Sequence, residues 1–386
     1  MILSAATAVP YIVTAVSADR GYKLSLSQRL GLCDAASEDI TYLRTLPPPN
    51  VAISDDGTKI AFVERLAAPQ CGEDRIILMK SGKRITIPRP ESVERSVGGH
   101  SFWVSRLRVV NSGTLFATLD DRFFGAYIGV RRKTFIWRRD AWRELLSNTA
   151  FPNNTGLGDV RTENLYAVTI DWDNAHPSNG TIAEDRSWGT PTVKVVQDGR
   201  VSLLGAGTLT ALCDTQAAGY TDGFQHSSQP TAVYWKDGKA RKLSSGVAFG
   251  TDCTGYAVGD DRKQWTAPGH PTLWHGTTAT RLTLGEGSAF AIRDNVIVGT
   301  DTGKGFILRR TQTHQPVQYL DRLGRGRWNM ITAFAIATSG RILALGEAKG
   351  KLTIFALDAR PVSDVKRAGL VMSRNAKGGS PALQPQ

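Results

Sequence analysis

Four cysteines are spread over 386 residues and no two stand as Cys-x-x-Cys, so the ligand spacing of a structural zinc site is absent. No Gly-x-Ser-x-Gly phrase occurs, which removes the nucleophile elbow of α/β-hydrolases. Long helical periodicity is scarce: residues 25–37 make the best helix candidate, and residues 138–146 a turn or two of helix beside a strand. After the first eighteen residues no apolar run approaches the ~20 residues of a membrane span, so no span is expected in the mature chain. Acidic residues are outnumbered, 35 against 47 Lys and Arg, and the resulting +12 gives a positive field that favours acidic partners without itself defining a site. No recognised nucleic-acid motif accompanies that charge, and nucleic acid is not expected as a partner.

What is abundant is a hairpin signal: a short apolar strand, a tight turn on Gly, then a second strand. It stands at Ser54-Asp55-Asp56-Gly57, Lys80-Ser81-Gly82, Asn111-Ser112-Gly113, Gln197-Asp198-Gly199, Lys236-Asp237-Gly238 and Thr338-Ser339-Gly340. Glycine at the positive-φ position lets a short loop match the twist of two antiparallel strands.

The hairpins belong to a longer repeat. Leu209 to Asp222 followed by Pro230 to Leu243 returns about 40 residues later, a usual spacing for propeller blades, as Gly250 to Asp260 and Pro271 to Leu282. Cys213 falls on Cys253, Gly219 on Gly259, and Trp235 nearly on Trp274. Looser copies place second strands at 59–63, 114–118, 165–170, 295–298 and 341–345, and third strands at 75–79, 134–137, 193–196, 305–308 and 352–355. These units predict an all-β fold, a single β-propeller of about seven four-stranded blades within the range six to eight. Each small sheet buries both faces only between neighbours, so the ring must close.

The phrase from Ser54 to Phe62 resembles the first hairpin of TolB-type propeller repeats. The Gly-Tyr/Val-x-Gly-Asp and Pro-Thr-x-x-Trp-x-x-Gly phrases between Leu209 and Leu282 are similar to the HAF repeats of secreted bacterial proteins, although the His-Ala-Phe triplet itself is missing. The resemblance covers roughly residues 50–360 and concerns blade architecture. It implies extracytoplasmic binding or scaffolding and carries no catalytic residues with it.

Residues 1–18 read as a secretory leader, with an apolar stretch and Val16 and Ala18 at the small-residue positions before a cleavage point, though without a charged n-region. A buried first strand or an uncleaved anchor is the other reading of the same stretch. Residues 19–46 then form an N-terminal segment, 47–360 the propeller, and 361–386 a basic tail whose end, 376–386, is expected to be disordered. Residues 40–44 or 369–372 are the candidates for the strand that closes the ring. Export would permit the disulfides Cys33–Cys71 and Cys213–Cys253; buried free thiols are the alternative.

The longest polar loops join the second and third strands of three adjacent blades, at 171–191, 221–230 and 260–271. They share a face, and each brings carboxylate, aromatic and histidine together. The candidate ligand-binding residues are Asp171, Trp172, Asp173, His176, Trp188, Phe224, His226, Trp265 and His270, with the aromatics stacking on a flat ligand and the polar groups orienting it. The alternative is that these aromatics fold back over their own blades and the aspartates cap turns. Asp171, Asp173 and His176 lack the glycine and distal Glu of an EF-hand loop, so no metal is expected, and no cofactor or catalytic residue is called.

Arginine clusters at 131–133, 138–139, 309–310 and 322–327 complete the inventory; they read as solvated outer faces or as contacts to an acidic polymer. The expected function is therefore an exported, non-enzymatic propeller that binds a glycan or protein. A hydrolase or lyase with an axial pocket is the rival, and electrostatic binding of an acidic polymer the third reading.

Overall fold

Twenty-eight strands form seven four-stranded antiparallel sheets in the computed structural model, which describes residues 11–17, 47–48, 50–65, 74–88, 90, 100–123, 129–145, 155–170, 191–214, 216–221, 229–265, 267–310, 317–321, 329–348 and 351–359. Blade 1 is β2 (Val51–Ile53), β3 (Lys59–Arg65), β4 (Asp74–Lys80) and β5 (Lys83–Ile87). Blade 2 is β6 (His100–Val109), β7 (Leu115–Phe123), β8 (Gly129–Arg138) and β9 (Ala141–Glu144), and blade 3 is β10 (Thr155–Thr162), β11 (Leu165–Ile170), β12 (Thr192–Gln197) and β13 (Arg200–Ala206). Blade 4 is β14 (Thr208–Leu212), β15 (Gln216–Thr221), β16 (Thr231–Lys236) and β17 (Lys239–Ser245), and blade 5 is β18 (Val247–Thr251), β19 (Tyr256–Asp260), β20 (Pro271–His275) and β21 (Thr278–Arg281). Blade 6 is β22 (Gly287–Arg293), β23 (Val296–Asp301), β24 (Lys304–Arg309) and β25 (Gln318–Tyr319). Blade 7 is β26 (Asn329–Ile336), β27 (Ile342–Ala348), β28 (Lys351–Ala359) and, on its outer edge, β1 (Tyr11–Ser17).

The first strand of every blade contacts the first strands of both neighbours, which makes these strands the inner wall of a closed ring. Seven apolar clusters fill the described core, one at each junction between blades. Trp235 and Trp274, aligned by the repeat, are fully buried in successive junctions. Burying such a ring contributes about 3 kcal/mol, and only a neighbouring blade supplies the second surface.

The repeat glycines have a steric reason. A Cβ on Gly219 would lie 2.0 Å from the Thr208 carbonyl oxygen, and one on Gly259 would lie 1.9 Å from that of Val247. Gly299 repeats the relation at 2.1 Å from the Ser288 oxygen, which extends the duplication to blade 6. The outer hairpins at Ser81-Gly82, Asp198-Gly199 and Asp237-Gly238 have positive φ at both central residues, as a two-residue turn with right-handed strand twist requires.

Two expectations are corrected. Within 138–146 the described residues, 138–145, do not form helix: Arg139 and Asp140, both at positive φ, turn β8 into β9, so a glycine-free pair occupies a turn where the sequence showed no signal. The strand that closes the ring is β1, which lies inside the stretch read as a leader and pairs antiparallel with β28 from Tyr11 opposite Ala359 to Ser17 opposite Ile354. An apolar, β-branched stretch such as Ile12-Val13-Thr14-Ala15-Val16 suits a leader core and an edge strand equally. The candidates at 40–44 and 369–372, the helix at 25–37 and the tail lie outside the described residues.

Candidate functional site in the axial channel

The inner strands enclose an axial channel of about 570 Å³, lined by residues of all seven blades. Along a strand successive side chains face opposite sides, so an inner strand sends one set into the junction core and the other toward the axis. On β6, Leu107 and Val109 are buried in the core while Arg106 and Arg108 line the channel. On β10, Asp159 and Arg161 do the same.

The wall is uneven around the ring. Phe249, Phe290 and Phe334, from blades 5, 6 and 7, line it with little of their area exposed, and the first two rings meet edge to face at 5.4 Å. Ile53, Ile292 and Ile336 extend this apolar sector. Blades 2 and 3 carry the ionic sector. Arg108 Nε donates to Asp159 Oδ1 at 2.7 Å, and Asp159 Oδ2 accepts the Leu212 N–H of blade 4 at 2.9 Å. Arg106 Nη2 reaches the Thr210 carbonyl at 3.4 Å.

A second ionic knot lies where the inner strands run into their first turns. Asp55, in the β2–β3 turn, accepts from Arg161 Nη1 at 2.7 Å and from Arg293 Nη1 at the end of β22. One carboxylate thus ties blades 1, 3 and 6. The Asp55 carbonyl accepts from the Thr338 N–H at 2.6 Å and from its hydroxyl at 2.7 Å, adding blade 7. Beside this knot Cys213 and Cys253 form a disulfide with Cα atoms 5.5 Å apart. Their equivalence in the repeat explains the pairing, because matching positions at the ends of adjacent inner strands face one another. Cys33 and Cys71 lie outside the described residues.

The strand meander puts the loops between second and third strands on the opposite face. Asp171, Trp172, Asp173, His176, Trp188, Phe224 and His226 lie outside the described residues. The blade 5 loop is described apart from residue 266, and it is anchored firmly. Arg262 and Asp260 form a buried bidentate ion pair, at 2.7 Å from Nε to Oδ1 and 2.6 Å from Nη2 to Oδ2, and Ser288 Oγ donates to Asp260 at 2.6 Å. The Arg262 guanidinium lies 5.8 Å from the Phe249 ring and 5.7 Å from that of Trp265. Trp265 packs edge to face on Tyr220 at 5.0 Å and against the core. His270 donates its backbone N–H to Asp261 at 2.7 Å, and its Nδ1 lies 3.1 Å from the same oxygen. Burial pushes the Asp261 carboxyl up, but His270 and Arg281 outweigh it and hold it below the usual carboxylate range.

Among the described basic residues, several make local contacts: Arg138 pairs with Glu163 at 3.1 Å, and Arg310 stacks 3.5 Å from the Tyr256 ring. Residues 322–327 lie outside the described residues.

No protein-family model matches the sequence, and no curated protein does. Solved structures do. The β-propeller domain of the Trilobed protease from Pyrococcus furiosus, which has an open velcro topology, is 11% identical, with a TM-score of 0.51 over 81% of this chain and 95% of that one. AztD from Citrobacter koseri is 12% identical, at 0.40 over 81% and 91%, and a puromycin-hydrolysing peptidase of Mycobacterium tuberculosis is 11% identical, at 0.38 over 81% and 60%. The fold is a seven-bladed β-propeller. At these identities the likeness concerns fold alone, and the two lower scores add nothing to it.

The channel arginines escaped the sequence reading because each blade contributes only one or two. Their signal was the i, i+2 spacing of Arg106 with Arg108 and of Asp159 with Arg161 on strands that otherwise alternate apolar residues.

Proposed function

We propose that this propeller is an exported binding protein whose ligand, a glycan or a protein segment, enters the axial channel from the face carrying loops 171–191, 221–230 and 260–271. The observation that carries the reading is the state of the channel carboxylates. Asp55 and Asp159 line the channel, yet each is engaged by arginine. A glycosidic hydrolase needs two carboxylates facing its substrate, whereas these two serve as clamps for guanidiniums. The blade 5 loop, anchored by Asp260 and Arg262, supports a preformed recognition surface. The Cys213–Cys253 disulfide suits an oxidising compartment, and the TolB-like and HAF-like repeat phrases favour the same location by analogy.

The test is a glycan and protein interaction screen with the full chain at two salt concentrations, since residues 11–17 belong to blade 7. A hit that weakens when Ala335→Trp fills the channel, in a variant with an unchanged melt, is the expected result. A hit indifferent to that substitution, or one that is turned over chemically, overturns the reading.

A further inference from the structure

We infer that the channel's ligand is an amphipathic carboxylate: an apolar body carrying one acidic group, held through that group by the arginines of blades 2, 3 and 6. The inference rests on the channel reading above and names the chemistry of its occupant. Charge comes first. The lining holds Arg106, Arg108, Arg161 and Arg293 against Asp55 and Asp159, and Asp214 beside it lies 3.7 Å from Arg161 Nε, which leaves a formal surplus of one positive charge. The side chains of Arg108, Arg161 and Arg293 are only 22–23% exposed, so water screens that surplus poorly. A fixed positive surplus in a recess concentrates anions.

Asp55 shows the kind of anion. Guanidiniums from two different blades converge on its single carboxylate, the planar, multiply donated arrangement that arginine makes with carboxylates. An incoming carboxylate would compete with Asp55 for the same donors.

The rest of the wall then selects against a neutral sugar. A sugar ring needs hydroxyl partners on most of its edges, whereas the hydroxyls of Thr210 and Thr118 in the lining are engaged internally and that of Thr169 is buried. Thr210 Oγ1 donates to the Ala248 carbonyl at 2.6 Å and lies 3.0 Å from that of Ala218. Thr118 Oγ1 lies 3.0 Å from Thr134 Oγ1 and accepts the Leu157 N–H at 2.8 Å. What remains is the apolar sector of Ile53, Ile292, Ile336 and the phenylalanines. An apolar body fits that sector while its acid meets the arginines. A small organic acid and an acidic side chain flanked by apolar ones in a peptide present this same chemistry.

The experiment is calorimetric titration of the full chain with 4-phenylbutyrate, 4-phenylbutylamine, digalacturonate, and the capped tripeptides Leu-Glu-Phe and Leu-Gln-Phe. Phenylbutyrate is expected to bind at least tenfold more tightly than the amine and than digalacturonate. A tighter Leu-Glu-Phe than phenylbutyrate assigns the peptide source, and the reverse assigns the small acid; both require Leu-Gln-Phe to be weaker than Leu-Glu-Phe. Arg161→Gln should weaken phenylbutyrate tenfold or more. Asp55→Asn, which removes the internal competitor, should tighten it three- to tenfold, a gain that no misfolded variant would give. Equal binding of acid and amine, or affinity unmoved by both substitutions, overturns the inference. If Ala335→Trp still abolishes binding of a screened ligand in that case, the channel reading stands and only the anion assignment falls.

Discussion

Asp55 Oδ1 accepts a hydrogen bond of 2.7 Å from Arg161 Nη1, joining the first turn of blade 1 to the inner strand of blade 3. With Arg293 on the same carboxylate, the contact braces the ring across its axis rather than between neighbouring blades. Replacing Asp55 by Ala leaves two partly buried guanidiniums without this partner. We expect a loss of roughly 1–3 kcal/mol, moderated by partial hydration, read as a lower urea midpoint with an unchanged slope.

The disulfide closes a loop of 40 residues between equivalent turns of blades 4 and 5. Chain-entropy reasoning gives about 4 kcal/mol for a loop of that length, and measured values are typically about 2–4 kcal/mol. Cys213→Ser together with Cys253→Ser should therefore lower stability by about 2–4 kcal/mol in urea unfolding. Adding reductant to the unmutated chain should give the same shift.

The close-approach glycines and the turn glycines should respond differently to alanine. At Gly219 and Gly259 the added carbon meets a backbone oxygen at 2.0 and 1.9 Å, so each alanine should cost about 2–3 kcal/mol or prevent folding. At Gly238 nothing lies within 4 Å, and the residue's φ of +72° alone sets the cost, about 1 kcal/mol. Thermal melts of the three variants check the order.

Asp56 supplies a pH signature. Burial pushes its carboxyl up, but hydrogen bonds from Ser54 and Thr58 together with the Lys59 charge prevail and hold it at about 2 rather than 3.8. A folded-state value below the unfolded one stabilises the protein fully above about pH 4, and that contribution disappears as pH falls through 2. The stability difference between the unmutated chain and Asp56→Asn should be present at pH 5 and should shrink toward pH 2. A difference that stays constant over that range would show that the carboxyl's ionisation is not its source.

Strand β1 makes a prediction about processing. A chain beginning at Asp19 lacks the outer strand of blade 7 and exposes the edge of β28 to other chains. It should melt several degrees lower and aggregate more readily than the full chain. Mass spectrometry of the protein from its native source should find an N-terminus upstream of Tyr11. A mature N-terminus at Asp19 with an unaltered melt would refute the assignment of β1 as the closing strand.

The ring was legible because its determinants are local and repeated. Gly219 and Gly259 must be glycine for a backbone contact, Trp235 and Trp274 fill the same place in successive junctions, and Ser81-Gly82 and Asp237-Gly238 set turns; all of these recur in the sequence. The second and third strands of the looser copies match β3, β7, β11, β23, β27 and β4, β8, β12, β24, β28, with three of the second strands, at 114–118, 295–298 and 341–345, starting one residue early. The channel was not legible, since Asp55, Arg161 and Arg293 meet only after the ring closes, across sequence separations of 106 and 238. The closing strand was obscured for another reason. Tyr11–Ser17 has the apolar, β-branched composition that serves a leader and an edge strand alike, and no local signal separates the two.

A crystal structure of the full chain with the first ligand recovered from the screen tests the central claim most directly. The ligand is predicted to lie in the axial channel, its acidic group against Arg106, Arg108, Arg161 or Arg293 and its apolar part against the sector formed by Phe290, Phe334 and Ile336. Ligand density on the outer strands, with the channel unchanged, would contradict the account.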